Sequence, residues 1–158
     1  MPGNTYIVTR VSLLKMSERR GIVFLSCQED ASLDAAAVFD GLDDKRERLI
    51  RSRFEYWIDG NTNNRWFHGF NEEEYKTCFV FKWKERRQNH RLYGFLCNPK
   101  PHSDARFQLC VLACHTNKNE WETDLNELDG VCALQSNPLV RIAISVEFPD
   151  SMGGVWQN

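Results

Sequence analysis

The chain has 158 residues, of which 42% are hydrophobic and 12% aromatic. This is enough for one folded domain with its own core and argues against wholesale disorder. No apolar run is long enough to span a bilayer, and the N-terminus shows no secretory signal pattern. We therefore expect a cytoplasmic protein with no membrane partner, whose six cysteines are reduced core thiols.

The formal net charge of −2 conceals an uneven distribution of charge along the chain. Residues 1–75 sum to −3, residues 76–118 to +7 and residues 119–158 to −6. A locally positive field attracts polyanions whatever the overall charge of the molecule. The basic middle segment therefore predicts a partner that carries phosphate.

The first half of the chain predicts a strand followed by two helices. Residues 1–20 form an N-terminal extension in which Tyr6–Leu14 could be an extra strand. The apolar run Ile22–Cys27 predicts a buried strand. A first helix is predicted after Ser32 as its N-cap, and a second over Asp43–Ile58, which Gly60 ends.

The second half predicts three strands in succession and then helices. The strands are expected at Thr77–Glu85, Arg91–Asn98 and Arg106–His115, after a short edge segment at Arg65–Phe70. Their short connections favour an antiparallel meander. Helices are expected at Glu122–Leu134 and Asn137–Phe148.

These elements predict a single α+β domain over residues 21–150, with a frayed tail at 151–158. Its sheet is expected to be antiparallel, to contain about four strands and to pack against helices.

The most informative segment is a basic hairpin. Lys82, Lys84 and Arg86 alternate along a strand and should share one face, while Phe79, Phe81 and Trp83 point toward a core. Arg91 opens the next strand near the same end of the hairpin. Neighbouring cations repel one another, so a bound phosphate backbone would stabilise the row. The alternative is a set of solvent-facing lysines that protects a strand edge.

A second polar cluster closes the third strand at His115 and Lys118. A polar cluster at a strand end is where a sheet often places chemistry, although a local hydrogen bond is an equally simple role for His115. Cys110, Cys114 and His115 are zinc-ligand types, but their spacing lacks a second Cys pair. The sequence also has no Gly-rich phosphate loop and no nucleophile elbow, so we expect no metal and no cofactor.

The order Lys82-Trp-Lys84-Glu-Arg86, followed by Arg91-Leu-Tyr93, resembles the central strands of the RelE/HigB toxin superfamily, including its phage-derived branch. Phe107–Lys118 looks like the family's third strand, and the resemblance spans about residues 22–130. It implies a RelE-like, microbial-RNase-like α+β fold. It also implies a ribosome-dependent endoribonuclease that cleaves mRNA without a metal and is neutralised by an antitoxin protein.

The resemblance also implies roles for individual residues. Arg91 and Lys118 would stabilise charge on the phosphate, while Lys82 and Lys84 would position the RNA, with one of them a possible proton acceptor. The remaining candidates are Arg86, Arg87 and His90 for phosphate contact and His115 for proton donation. The alternative is a catalytically inactive relative that binds nucleic acid or a protein through the same basic sheet face.

Overall fold

The computed structural model describes residues 3–118 and 125–157. Its strands are β1 (Tyr6–Arg10), β2 (Arg20–Cys27), β3 (Phe67–Gly69), β4 (Cys78–Glu85), β5 (Gln88–Cys97) and β6 (Gln108–Lys118). Its helices are α1 (Ala35–Asp40), α2 (Asp44–Ile58), α3 (Leu125–Ser136) and α4 (Pro138–Glu147), with a 3-10 turn at Glu73–Tyr75. The six strands form one sheet in the order β1-β2-β6-β5-β4-β3.

The α+β class is confirmed, but the expected sheet of about four antiparallel strands is wrong. β1 and β3 extend the sheet at its two edges. β2 pairs with β6 in parallel, with Ile22 opposite Cys110, whereas the other pairings are antiparallel. A parallel pair needs a long crossover, and the whole chain from α1 to β5 supplies it. Rules based on short connections cannot detect such a distant pairing.

Helices cover both faces of the sheet, which creates two apolar cores. On the α1/α2 face, Phe24, Phe54 and Phe81 belong to one buried cluster, with Phe54 and Phe81 edge to face at 4.8 Å between ring centroids. On the α3/α4 face, Tyr93 and Val111 belong to the other cluster. Because side chains alternate along a strand, each central strand contributes to both cores.

Helix ends follow the sequence at α2 and α4 but not at α1. Asp43 accepts a hydrogen bond from the backbone N–H of Arg46 at 2.8 Å, and Gly60 follows α2 at φ +94°. Asn137 caps α4 in the same way. Ser32 does not cap α1: its hydroxyl donates to Asp30 at 2.6 Å.

Both chain ends pack against the domain. The extra N-terminal strand is confirmed as β1, which pairs with β2. The expectation of a frayed C-terminal tail does not hold at Trp156, which is 3% exposed and lies under the Arg141 guanidinium at 4.4 Å. None of the described helices combines the length and apolar character needed to cross a bilayer.

A β-bulge interrupts the pairing of β5 with β6. Tyr93 lies opposite Cys114, but Gly94 lies opposite Leu112, so Ala113 is an extra residue on β6. The bulge reverses which face each later side chain takes. Cys110 therefore belongs to the core of the α1/α2 face, whereas Cys114 packs on the α3/α4 face. Regular alternation along β6 would have placed these two cysteines on one face.

Candidate functional site

A cavity of about 500 Å³ lies at the open edge of β4. Its lining contains five cations and no carboxylate among the described residues. The lining residues are Arg53, Arg65, Trp66, Lys82, Trp83, Lys84, Asn89 and Arg91. We call this site the cationic cavity, and its composition suits an anion.

The centre of the cationic cavity is a pair of cations on adjacent strands. Lys82 of β4 lies directly opposite Arg91 of β5 in the register. Arg91 is only 5% exposed, and its Nη1 donates to the hydroxyl of Tyr93 at 3.2 Å. Cross-strand partners of like charge repel each other, and a bound anion would reduce that repulsion. The predicted association of Lys82 with Arg91 is therefore present.

Burial, and secondly the charge of Arg91, lower the pKa of Lys82. The Nζ of Lys82 donates to the carbonyl oxygen of Asn64 at 2.9 Å. The described ion pairs involve neither Lys82 nor Lys84. A lysine with a lowered pKa and no carboxylate partner can both attract phosphate and accept a proton.

The end of β3 shapes the cavity wall. β3 begins at Phe67, opposite Phe81, so the backbone N–H of Lys82 donates to the carbonyl of Trp66 at 2.8 Å. The carbonyl of Lys82 accepts from Nη1 of Arg53 at 2.6 Å, and the Arg53 guanidinium lies 5.0 Å from the Trp66 ring. The Nε of Arg53 is buried without a hydrogen bond among the described residues. Arg53 is thus held beside the cavity, and its Nε–H can still donate a hydrogen bond.

The sequence did not identify three lining residues that come from outside the hairpin, namely Arg53, Arg65 and Trp66. Arg53 lies on α2, and its role depends on how α2 packs across the sheet. Arg65 and Trp66 directly precede β3 and reach the cavity because the strand is so short. The only available signal was that Arg65 and Trp66 belong to the predicted edge segment Arg65–Phe70.

The turn cations do not lie in the row that the sequence predicted. β4 ends at Glu85, and Arg86 occupies the hairpin turn at φ +56°. Arg86 and Arg87 are both exposed there. The expectation that Arg86 continues the face of Lys82 and Lys84 is therefore wrong. Lys84 itself is exposed and lies opposite Asn89.

His90 and His115 lie on the α1/α2 face, away from Lys82 and Arg91. They stack with Trp83, and Nδ1 of His90 lies 2.9 Å from Nε2 of His115. Glu85 lies 3.6 Å from His90 and also pairs with Arg46 at 3.0 Å. Burial lowers the pKa of both histidines. The structure therefore does not bring His115 to the cationic cavity, because the bulge at Ala113 reverses its face.

Lys118 ends β6 opposite Asn89, and its side chain lies outside the described part of the structure. Among the described residues, no group of three or more His, Cys, Asp or Glu side chains is placed to hold a metal ion.

Two further cavities continue the basic surface along β3 and β4. A cavity of about 560 Å³ shares Lys82 with the cationic cavity and reaches Lys76. A third, of about 640 Å³, shares Lys76 and adds Arg19, Arg20 and Arg106. No described lining residue of either cavity is a carboxylate. Neighbouring cavities in this series share a lining lysine, and we call the three cavities the basic track.

Comparison of the chain with protein-family models, with curated proteins and with solved structures finds no match. The geometry of the cationic cavity and the basic track is therefore the basis for assigning a function.

Proposed function

We propose that the cationic cavity binds the phosphodiester backbone of RNA and that the protein is a toxin-like endoribonuclease that cleaves mRNA on the ribosome. The observation that carries this proposal is the cross-strand pair of half-buried Lys82 and buried Arg91 within a cavity lined by cations and by no described carboxylate. Arginine grips phosphate with a planar fork, and lysine supplies a compact charge.

The order of the elements also supports a RelE-like fold. A buried strand, two helices and three strands follow one another before the two final helices, and the strand, two helices and three strands match the order that the resemblance to the RelE/HigB superfamily implies. In that reading β1 and β3 are additions at the two sheet edges, and a cognate antitoxin protein is the expected regulatory partner.

The proposed reaction needs no metal. The RNA 2′-hydroxyl attacks the adjacent phosphorus, the bond to the 5′-oxygen breaks, and a 2′,3′-cyclic phosphate forms. Lys82, whose pKa is lowered, accepts the 2′-hydroxyl proton. Arg91 stabilises the negative charge that builds on the non-bridging oxygens. Lys84, exposed at the rim, returns a proton to the leaving 5′-oxygen.

The basic track supports a single-stranded RNA as the ligand. The phosphates of an extended RNA strand repeat along its length. The cavities of the basic track can therefore contact several of these phosphates. Trp66 at the cavity wall offers a ring on which a base can stack, because every base has a flat aromatic face.

The experiment compares Lys82→Arg with the wild type. Arginine keeps the positive charge but does not lose its proton near neutral pH. We expect Lys82→Arg to lose roughly 10²-fold or more in mRNA cleavage rate in a translating bacterial extract. Its affinity for single-stranded RNA, measured by fluorescence anisotropy, should change little. Lys45→Ala, a change at an exposed cation on α2, is the matched control and should behave as wild type.

The alternative is a catalytically inactive module that binds nucleic acid through the same cavity. The position of His115 favours it, since the proton-donor candidate lies on the other face. In that case the wild type binds RNA but cuts none. A wild type that neither binds nor cuts RNA would overturn both functions.

A further inference from the structure

Cys78 and Cys132 bring their sulfur atoms together between β4 and α3. The two Sγ atoms are 2.6 Å apart, closer than two sulfur atoms in van der Waals contact. The residues are 54 positions apart in sequence, so the contact is a product of the tertiary fold. No other two cysteine sulfurs are in contact among the described residues.

The two thiols differ in their access to solvent. Cys78 is fully buried at the start of β4, and its Sγ also lies 3.9 Å from the carbonyl oxygen of Leu128. Cys132 is half-buried on α3, and its Sγ lies 3.5 Å from the carbonyl oxygen of Glu74. A reagent in solution therefore reaches Cys132 first.

The surroundings of the pair are well fixed. Close by, the hydroxyl of Tyr75 donates to Asp129 of α3 at 2.6 Å, and Gln135 of α3 bonds to Thr77 at 2.5 Å. These contacts hold α3 against the segment that precedes β4, on both sides of Cys132. The sulfurs consequently meet without any rearrangement of the fold, which is the geometric requirement for a disulfide.

We infer that Cys78 and Cys132 form a reversible disulfide that ties α3 to β4 when the protein meets a small-molecule disulfide such as glutathione disulfide. This inference is independent of the proposed nuclease function. It identifies a modification site that joins α3 to the strand carrying Lys82 and Lys84.

The exchange proceeds in two balanced steps. The thiolate of Cys132 attacks one sulfur of glutathione disulfide, forming a mixed disulfide and releasing one glutathione thiolate. Cys78 then loses its proton, attacks Sγ of Cys132 and releases the second glutathione thiolate. The two cysteine thiols are oxidised, glutathione disulfide is reduced to two glutathione molecules, and the two cysteine protons pass to these products. Burial raises the pKa of Cys78, so the second step depends on the contact between the sulfurs.

The test incubates the full-length protein with glutathione buffers of increasing oxidation, then denatures it and alkylates the free thiols, since buried thiols are out of reach in the folded protein. We expect the number of alkylated cysteines to fall from six to four. Tryptic mapping should recover Cys78 and Cys132 in one cross-linked peptide, and dithiothreitol should restore all six. Closing so long a loop should also raise the melting temperature by roughly 5–15 °C.

The matched variants are Cys132→Ser and Cys114→Ser. Cys114 is likewise half-buried and faces α3, with its Sγ 4.0 Å from Glu127. Cys132→Ser should abolish both the cross-link and the rise in melting temperature, and Cys114→Ser should keep both. Six alkylated thiols in the most oxidising buffer, glutathione left on Cys132 alone, or a cross-link through Cys114 would each overturn the inference.

Discussion

At the scale of single residues, Gly94 is the position that decides which side chains face the cationic cavity. A Cβ at this position would lie 1.9 Å from the carbonyl oxygen of Val111 and 2.8 Å from Cα of Leu112. The backbones of β5 and β6 approach this closely at the bulge formed by Ala113. Gly94 thus permits the bulge, and the bulge places Thr116 rather than His115 opposite the cavity residue Arg91.

We expect Gly94→Ala to destabilise the protein by roughly 3 kcal/mol or more, because the added methyl group meets backbone that cannot move aside. The measurement is the midpoint of urea unfolding. Gly69→Ala is the control, since a Cβ there finds its nearest atom at 3.7 Å. Equal stability of the two variants would contradict this role of Gly94.

The histidine pair makes stability depend on pH. Folding lowers the pKa of His90 and His115 below the value of about 6.5 that an unfolded chain has. The unfolded state therefore binds protons first as the pH falls, so the free energy of unfolding should decrease from about pH 6.5 downward. Above that pH both states are neutral at these positions and this contribution is constant.

Replacing His115→Gln should flatten this pH dependence. The variant removes one of three histidines whose pKa folding lowers, the third being His68, so its loss of stability between about pH 7 and pH 5 should be smaller than that of the wild type. Urea unfolding at a series of pH values measures it, with values near pH 8 as the baseline. If the free energy of unfolding depends on pH equally in the variant and the wild type, folding does not lower the pKa of His115.

At this scale, the sequence predicted that Lys82 and Lys84 lie on one face of β4 and that Phe81 and Trp83 lie on the other. This was possible because the two-residue alternation of a strand is a local pattern. The sequence did not predict the position of His115, because a bulge leaves no clear mark in the pattern of apolar residues. It also placed Arg86 on the face of Lys82 and Lys84, since residue type alone does not show that this arginine has a positive φ.

At the scale of elements, α3 contains a residue that weakens it. Gly130 lies inside the helix, is exposed, and has no atom within 4 Å of the position a Cβ would take. Glycine in a helix interior costs stability because the unfolded chain has more backbone freedom to lose. α3 is therefore held mainly by its tertiary contacts.

We expect Gly130→Ala to raise the free energy of unfolding by roughly 0.5–1 kcal/mol. Gly153→Ala is a discriminating control: it also has open space, but its φ of +68° disfavours any residue with a Cβ. Gly130→Ala should stabilise and Gly153→Ala should destabilise. If both variants change the free energy of urea unfolding in the same direction, backbone conformation does not explain the effects.

The sequence predicted the helices better than the sheet. The run Asp43–Ile58 carries its own start, apolar stripe and stop, so α2 was placed within one residue. β1 and β3 remained uncertain because edge strands expose much of their surface and show weak patterns. The parallel partnership of β2 and β6 is a long-range property, and no local signal encodes it.

At the scale of the whole molecule, the basic middle segment of the sequence becomes a basic track across the surface. The cationic cavity lies at one end of β4, and the cavity containing Lys76 and Arg106 lies at the other. Their separation along one strand means that they can bind different phosphates of the same RNA. The charge distribution along the sequence predicted a partner that carries phosphate. It did not predict which surface residues form the basic track.

We expect the double variant Lys76→Ala/Arg106→Ala to bind single-stranded RNA more weakly. If each side chain neutralises one phosphate, the slope of log affinity against log salt should decrease by roughly 1.4. The cleavage rate of saturated enzyme should change little, since neither residue lines the cationic cavity. Fluorescence anisotropy across a salt series measures the slope.

Arg48→Ala/Lys45→Ala, at exposed positions on α2, is the control for general loss of charge. A decrease in slope equal to that of the track variant would show that RNA does not follow the basic track.

The position of β6 between β2 and β5 has a consequence for how the protein is made. β2 emerges from the ribosome early, yet its inner partner is the last strand of the sheet to be synthesised. Until then a nascent chain has two incomplete halves, the β1–β2 hairpin and the β3–β4–β5 ladder, each with an exposed strand edge. Such distant pairing slows folding, so the young chain should depend on chaperones until its final third has emerged.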